Sequence, residues 1–258
     1  MPQVATSFGY RIGYVEAGGG DATPIVFLHG VGSDKSVWHP QLDHFGGQRR
    51  TMAFDYPGYG DSEPAPEGTT RDHYAAAILS AMTALGVHRA HICGLSLGGV
   101  IAIALYYAAP ERCASLILAD TFFVHPDGPA IYDRSVAASN DMRALAEGRI
   151  DALLAQPADQ AVRSEVVETM ANIDPAAFRI GAEAVWLADQ AERAQAIRVP
   201  TLVVCGAEDR VTPPTLSRAL TQLIPGARYE EIANAGHLTN LERPEAFNTL
   251  MDGFIRNA

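Results

Sequence analysis

Lysine is almost missing from this chain: of its 19 basic residues, Lys35 is the one lysine, and the arginines are scattered along the sequence. Acidic residues number 30, so the formal net charge is −11. A surplus of that sign excludes nucleic acid and anionic membrane surfaces as expected partners, because both would repel it. Cysteine is scarce too. Cys93, Cys113 and Cys205 each stand in or beside an apolar run, which is neither a disulfide framework nor a metal-ligand spacing. They are expected to be reduced core residues of a cytoplasmic protein, with no metal bound. The opening residues, Met1-Pro2-Gln3-Val4-Ala5-Thr6, carry neither a basic region nor the apolar stretch that directs export. No apolar run reaches the length needed to cross a membrane.

What the chain has is apolar mass. Hydrophobic residues make up 48% of its 258 positions, enough for the core of one large α/β domain or of a domain with an insertion. The most informative stretch is Ala90-His91-Ile92-Cys93-Gly94-Leu95-Ser96-Leu97-Gly98-Gly99-Val100. Its middle reads G-x-S-x-G, its start reads as a strand, and Gly98 to Ala109 reads as a buried helix. A serine on a sharp strand-to-helix turn is the nucleophile-elbow pattern. Gly94 and Gly98 are expected to be glycines because a Cβ there would collide with the neighbouring strand or helix.

Around this unit, the pattern alternates. Residues 10–16 read as an early, partly exposed strand. Pro24 to Leu28 is a continuous apolar run of the kind found in strands buried on both faces, and it ends in His29-Gly30-Val31-Gly32-Ser33-Asp34. Residues 36–45 read as a short helix. Arg50 to Asp55 is the next strand and runs into Tyr56-Pro57-Gly58-Tyr59-Gly60. Residues 71–86 have helical spacing. Ala114 to Ala119 is a further strand, closing at Asp120. Strand-helix alternation with buried strands predicts a mostly parallel sheet with helices on both faces. Ligands of such sheets bind at the carboxyl ends of the strands, where Val31, Ser96 and Asp120 fall.

From Thr121 to about Arg198 no strand is expected. Helices near 130–139, 142–155, 159–172 and 175–192 read as an insertion over the carboxyl edge of the sheet. The expected division is a core of residues 1–120 and 199–258 and a helical cap of residues 121–198. Phe122, Phe123, Tyr132, Met142, Trp186 and Leu187 are candidates to line a substrate pocket. The sheet pattern resumes at Pro200 to Cys205 and opens into Gly206-Ala207-Glu208-Asp209-Arg210-Val211-Thr212-Pro213-Pro214. A helix over about 214–223, a strand at Arg228 to Ile232, the turn Ala233-Asn234-Ala235-Gly236-His237 and a helix from about Pro244 to Arg256 complete the chain.

Ser96, Asp209 and His237 therefore stand in chain order, each after a strand. A serine hydroxyl is a weak nucleophile and needs a base within hydrogen-bond reach. Histidine titrates near neutrality, so it can take that proton and later return it. A carboxylate behind the imidazole fixes its tautomer and stabilises the imidazolium. Asp120 and Glu208 are alternatives for the acid. Acyl transfer also needs N–H donors for the oxyanion, and the backbone amides of Val31 and Leu97 are the expected pair. His29 reads as structural, and the other histidines lack a post-strand Gly-His context.

Five motifs carry a resemblance: His29-Gly30-Val31-Gly32-Ser33-Asp34, Gly94-Leu95-Ser96-Leu97-Gly98-Gly99, Ile197-Arg198-Val199-Pro200-Thr201-Leu202, Asp209-Arg210-Val211-Thr212-Pro213-Pro214 and Gly236-His237-Leu238-Thr239-Asn240. With them, the chain resembles α/β-hydrolase fold enzymes along its whole length, and within that superfamily 3-oxoadipate enol-lactonases and related small esterases. Those lactonases usually carry an Arg-Gly pair in the loop where this chain has Asp55-Tyr56-Pro57-Gly58-Tyr59-Gly60, so a less charged lactone or ester fits the pattern as well. The resemblance implies a cofactor-free serine hydrolase of small carboxylic esters or lactones, monomeric or a weak homodimer. It leaves open carbon–carbon cleavage of diketone ring-cleavage products, perhydrolysis or halogenation of the haloperoxidase type, and a slow-turnover ligand receptor on the same fold.

Overall fold

The computed structural model describes residues 3–6 and 9–258. Eight strands form one sheet: β1 (Gln3–Ala5), β2 (Arg11–Ala17), β3 (Ile25–Leu28), β4 (Thr51–Phe54), β5 (Ala90–Leu95), β6 (Cys113–Ala119), β7 (Thr201–Gly206) and β8 (Arg228–Ile232). Their spatial order is β1-β2-β4-β3-β5-β6-β7-β8. β1 and β2 are antiparallel to each other, and β2 is antiparallel to β4; every pairing from β4 to β8 is parallel. The five inner strands read IVFL, TMAF, AHICGL, CASLILA and TLVVCG, and almost every residue in them is buried. That is what a parallel strand covered on both faces requires. β1 was not anticipated: a three-residue edge strand is too short to show a periodicity, and its partner β2 supplies the register.

After β3, the chain goes to β4 on one side, then crosses to β5 on the other. The order reverses between β3 and β5, and the crevice outside the carboxyl ends of strands at such a reversal is where ligands of open parallel sheets bind. β3 and β5 pair with Leu28 opposite Gly94, so the loop starting at His29 and the turn at Ser96 emerge side by side.

Helices cover the sheet: α1 (His39–Gly46), α2 (Arg71–Ala84), α3 (Leu97–Ala108), then α4 (Gly128–Ala138), α5 (Met142–Leu153), α6 (Gln160–Ala171), α7 (Pro175–Trp186) and α8 (Ala191–Gln195) between β6 and β7, and finally α9 (Pro214–Leu223), α10 (Thr239–Glu242) and α11 (Pro244–Ile255). The sequence LGGVIAIALYYA of α3 is apolar all round, so this helix is buried along most of its length. The helix expected over 175–192 is two helices. α7 stops at Trp186, Asp189 makes a bridge to Val124, and Gln190 N donates to Phe123 O at 2.9 Å. Gln190 Nε2 also donates to Val100 O of α3 at 2.9 Å, tying the segment to the core.

The one lysine is not at the surface. Lys35 is buried, and its Nζ donates to Asp55 Oδ2 and to Asp61 Oδ2, both at 2.6 Å. Lys35 N donates to Asp55 Oδ1 at 2.9 Å. Burial alone would lower the ammonium's pKa, but the two carboxylates outweigh it and the net shift is upward. This cluster fixes the loop after β3 against the loop after β4.

Candidate active site

Ser96 sits between the last residue of β5 and the first of α3 with φ 56° and ψ −115°. A non-glycine residue in that region is strained by about 1–3 kcal/mol and is held there only by its surroundings. Those surroundings are specific. Ser96 N donates to Ala119 O at 2.9 Å, and Thr121 Oγ1 donates to Ser96 O at 2.8 Å. A Cβ on Gly94 would fall against the carbonyl of Gly98, and one on Gly98 against the carbonyl of Leu28. The turn is therefore closed only with glycine at both positions.

The loop after β3 comes close to this turn. A Cβ on Gly30 would lie 3.4 Å from Ser96 Cβ and 3.9 Å from Ser96 Oγ. Tyr56 Oη donates to His29 O at 3.0 Å and Tyr59 Oη to Val31 O at 3.2 Å, so two buried tyrosines hold the loop backbone in place. His29 is buried against Tyr56, with ring centroids 4.3 Å apart, and burial lowers its pKa. Its Nδ1 bonds to Gly30 O at 2.8 Å, which makes it a support for the loop. The Leu97 amide is the first of α3, has no intrahelical acceptor and lies at the positive end of the helix dipole.

His237 is buried, and its Nδ1 donates to Asp209 Oδ2 at 2.8 Å. The Asp209 carboxylate accepts three more hydrogen bonds: Val211 N at 2.8 Å and Thr212 N at 2.9 Å on Oδ1, and Thr212 Oγ1 at 2.6 Å on Oδ2. Burial pushes its pKa up, but the imidazolium and these donors outweigh burial and hold it below the usual carboxylate value. For His237, burial disfavours the charged form, yet the Asp209 carboxylate prevails and the pKa is raised. Thr212 carries none of the chemistry expected from the sequence; its position three residues after Asp209, where a side-chain oxygen closes a turn on backbone N–H groups, was the available signal.

Asp120, the alternative acid, is placed elsewhere. Its Oδ1 accepts from Gly206 N at 2.9 Å and its Oδ2 from Thr239 Oγ1 at 2.6 Å. Burial and the neighbouring charge of Asp209 push its carboxyl up to about 8. Glu208, the other alternative, is half-buried and bonds to neither His237 nor Ser96; its N–H donates to Ala235 O at 2.9 Å. Asp120, Cys205 and Asp209 present donor atoms within 4.8 Å of one another, the one such group among the described residues. Both carboxylates are already engaged by the bonds above, and burial raises the Cys205 thiol far above its ordinary pKa, so the three do not form an open metal site.

Ser96, His237, Gly30 and Val31 line one cavity together with Arg149, Leu153 and Trp186 from the helices between β6 and β7. About 590 Å³ in it is free of atoms, of which about 40 Å³ admits the centre of a water molecule. It is a narrow slot beside the nucleophile. Of the apolar candidates, Trp186 lines it. Phe122 does not; it is fully buried and stacks behind Trp186, ring centroids 5.9 Å apart. Phe123 and Tyr132 are half-buried against the core, Met142 is buried at the start of α5, and Leu187 is 41% exposed just past α7; none of the four borders the cavity. A side chain's apolar character cannot tell which helix face turns to the sheet edge.

The His237 loop is bonded to α5. His237 N donates to Leu153 O at 2.7 Å. Glu242 accepts from Gly236 N at 2.8 Å on Oε1 and from Ala155 N at 2.7 Å on Oε2. Nothing in the sequence flagged Glu242, because both its partners are backbone groups and one of them, Ala155, is distant along the chain.

Comparison with known proteins agrees with this architecture. The 3-oxoadipate enol-lactonase 1 of Acinetobacter baylyi is 28% identical over 241 residues, covering 92% of this chain and 90% of the relative. The crystal structure of the enol-lactonase from Burkholderia xenovorans superposes with a TM-score of 0.92 at 29% identity, covering 99% of this chain and all of that one. Est816, solved as an N-acyl homoserine lactone degrading enzyme, superposes with a TM-score of 0.84 at 28% identity over 98% of this chain and 100% of its own. The pattern of the alpha/beta hydrolase fold family matches residues 23–244, so the chain belongs to that family and is a hydrolase.

Proposed function

We propose that the chain is a serine hydrolase that cleaves a small carboxylic ester or lactone through an acyl-enzyme. Ser96 Oγ attacks the carbonyl carbon while His237 Nε2 takes the hydroxyl proton. Asp209 holds Nδ1–H and stabilises the imidazolium as it forms. The carbonyl oxygen, now negative, is received by the N–H groups of Val31 and Leu97; a preorganised donor of this kind is worth roughly 3–4 kcal/mol in the transition state. The tetrahedral adduct collapses, and His237 returns its proton to the departing alkoxide. A water that gives its proton to His237 then attacks the ester on Ser96; as the acyl–Oγ bond breaks, His237 returns that proton to Ser96 Oγ and the acid leaves. Residues 121–198 act as the cap that closes the slot over the strands' carboxyl ends.

The observation that carries this reading is the His237 Nδ1–Asp209 Oδ2 bond of 2.8 Å, with His237 lining the same cavity as the strained Ser96. The Acinetobacter enol-lactonase and Est816 are named for lactone substrates, which favours the ester-lactone class. The test is steady-state hydrolysis of p-nitrophenyl esters of increasing chain length and of simple lactones, with Ser96→Ala measured beside the wild type. Turnover that vanishes in the variant is expected. Equal rates in the two proteins would overturn the reading.

A further inference from the structure

Arg149 on α5 lines the same cavity as Ser96 and His237. It is half-buried, its Nη1 is shielded from water, and that nitrogen has no hydrogen-bond partner among the described residues. No carboxylate among the described residues lies within ion-pair distance of it, and burial disfavours its charge without an anion to offset the loss. A guanidinium is normally paired when water is withdrawn from it, because an uncompensated buried cation is costly. Trp186, in the same wall, is 2% exposed, and its Nε1–H is likewise without an acceptor. Its ring is fixed by Phe122 on one side and by an edge contact with His125, centroids 5.5 Å apart. Two residues that each carry a shielded, unpartnered donor therefore line one small cavity beside the nucleophile.

The charges around them have one sign on the outer side. Arg149 and Trp186 also border a surface groove that carries the exposed Arg134 and Arg210, and among the described residues no acidic side chain lines that groove. Asp127 lies farther along, in the adjoining depression. Inside the cavity, the acidic residue is Glu165, whose Oε1 lies 3.4 Å from His39 Nδ1 and whose side chain is 37% exposed. On a chain of net charge −11, a groove with three arginines leading to a catalytic slot concentrates small anions there.

We propose that Arg149 is a substrate-recognition residue for a carboxylate carried by the ester or lactone, and that the groove of Arg134 and Arg210 is its route of entry. The inference rests on the hydrolase reading above and deepens it. A planar guanidinium suits a carboxylate, which it can grip through two parallel N–H groups.

Two substrate pairs test it: mono-p-nitrophenyl adipate against p-nitrophenyl hexanoate, and 4-carboxyphenyl hexanoate against phenyl hexanoate. In the wild type, the anionic member of at least one pair is expected to have the higher kcat/KM. Arg149→Met should cut the anionic-to-neutral ratio of that pair by about tenfold or more, the loss usual for a charge-assisted hydrogen bond, and Arg149→Lys should recover part of it. Arg134→Ser with Arg210→Ser should flatten the salt dependence of the anionic ester alone. A ratio that moves less than that in both pairs overturns the proposal. Binding of adipate and of 4-hydroxybenzoate, followed by tryptophan fluorescence, needs no turnover. If no ester is hydrolysed at all, the hydrolase reading fails, and this titration decides alone: binding weakened about tenfold in Arg149→Met sustains the carboxylate site, and equal binding ends it.

Discussion

The backbone N–H of His237 donates to the carbonyl oxygen of Leu153 across 2.7 Å. The proposed general base is thus hydrogen-bonded directly to the end of α5, the helix that carries Arg149. Glu242 doubles the link by accepting from Gly236 N and Ala155 N. Glu242→Ala leaves two N–H groups of this junction without acceptors, at a cost of about 1–3 kcal/mol each when buried. A fall in Tm of several degrees is expected, at roughly 2–4 °C per kcal/mol for a chain of this size. kcat should fall with it, because the loop that carries His237 loses its bond through Glu242 to Ala155, just past α5. Thermal denaturation and ester hydrolysis on the same preparation check both; an unchanged kcat would show that the junction does not position His237.

The two buried aspartates predict opposite outcomes. Asp209→Asn should lower kcat by about 10³–10⁴-fold, since an amide donates where the imidazole Nδ1–H needs an acceptor and the wrong tautomer results. Asp120→Asn should leave kcat within about tenfold, because Asp120 contacts Gly206 and Thr239 rather than His237. In the wild type, kcat/KM should fall on the acid side as His237 becomes protonated, at a pH above that of an ordinary imidazole, because Asp209 raises its pKa. A full pH profile of both variants separates the roles. Comparable losses in the two would contradict the assignment of the acid.

Asp120 also sets a slope in stability. Its folded pKa is raised to about 8, whereas an unfolded aspartate ionises near 3.9. A carboxyl that keeps its proton only in the folded state favours folding fully below the unfolded value, and that contribution is lost as pH rises toward the folded value. Asp120→Asn has no proton to lose, and its amide can donate to Thr239 and accept from Gly206. Denaturant unfolding at pH 5 and pH 8 should show the variant gaining on the wild type as pH increases. A gap that stays constant with pH would place the Asp120 proton elsewhere.

The buried lysine is a structural prediction of its own. Lys35→Met strands Asp55, which is fully buried, and removes the ion pair to Asp61. Breaking a buried pair from one side costs about 3–5 kcal/mol, so Tm should drop on the order of 10 °C. In the wild type, amine-reactive labelling of Lys35 should require unfolding. Labelling of the native protein at the rate of a free lysine would contradict the burial.

The legible parts of the fold were those written in local pattern. The continuous apolar runs of β3 to β7, the helical spacing of α2 and the strand-turn-helix around Ser96 depend on neighbours in sequence, and the structure has these elements within a residue or two. β1 and α10 are too short to carry a period. The break at Leu187 to Gln190 could not be read because its cause is tertiary: Asp189 pairs with Val124, and Gln190 reaches Val100 of α3. The same limit applies at the site. Ser96, Asp209 and His237 follow strands and stand next to diagnostic glycines or turns. Glu242 acts through Ala155, which only the folded chain brings near, and Arg149 joins the cavity wall only once α5 packs beside the His237 loop. Phe122 illustrates the converse: as an aromatic in the insertion, it looks like a pocket residue, but it stacks behind Trp186 as that ring's support.

The central claim is that catalysis passes through an acyl group on Ser96. The most direct measurement is an acid-quenched single turnover with p-nitrophenyl butyrate, followed by mass spectrometry of the digested protein. The account predicts a butyryl adduct on the peptide containing Ser96, formed with a stoichiometric burst of nitrophenol and absent in Ser96→Ala. Turnover that persists in Ser96→Ala, with no adduct on that peptide in the wild type, would contradict it.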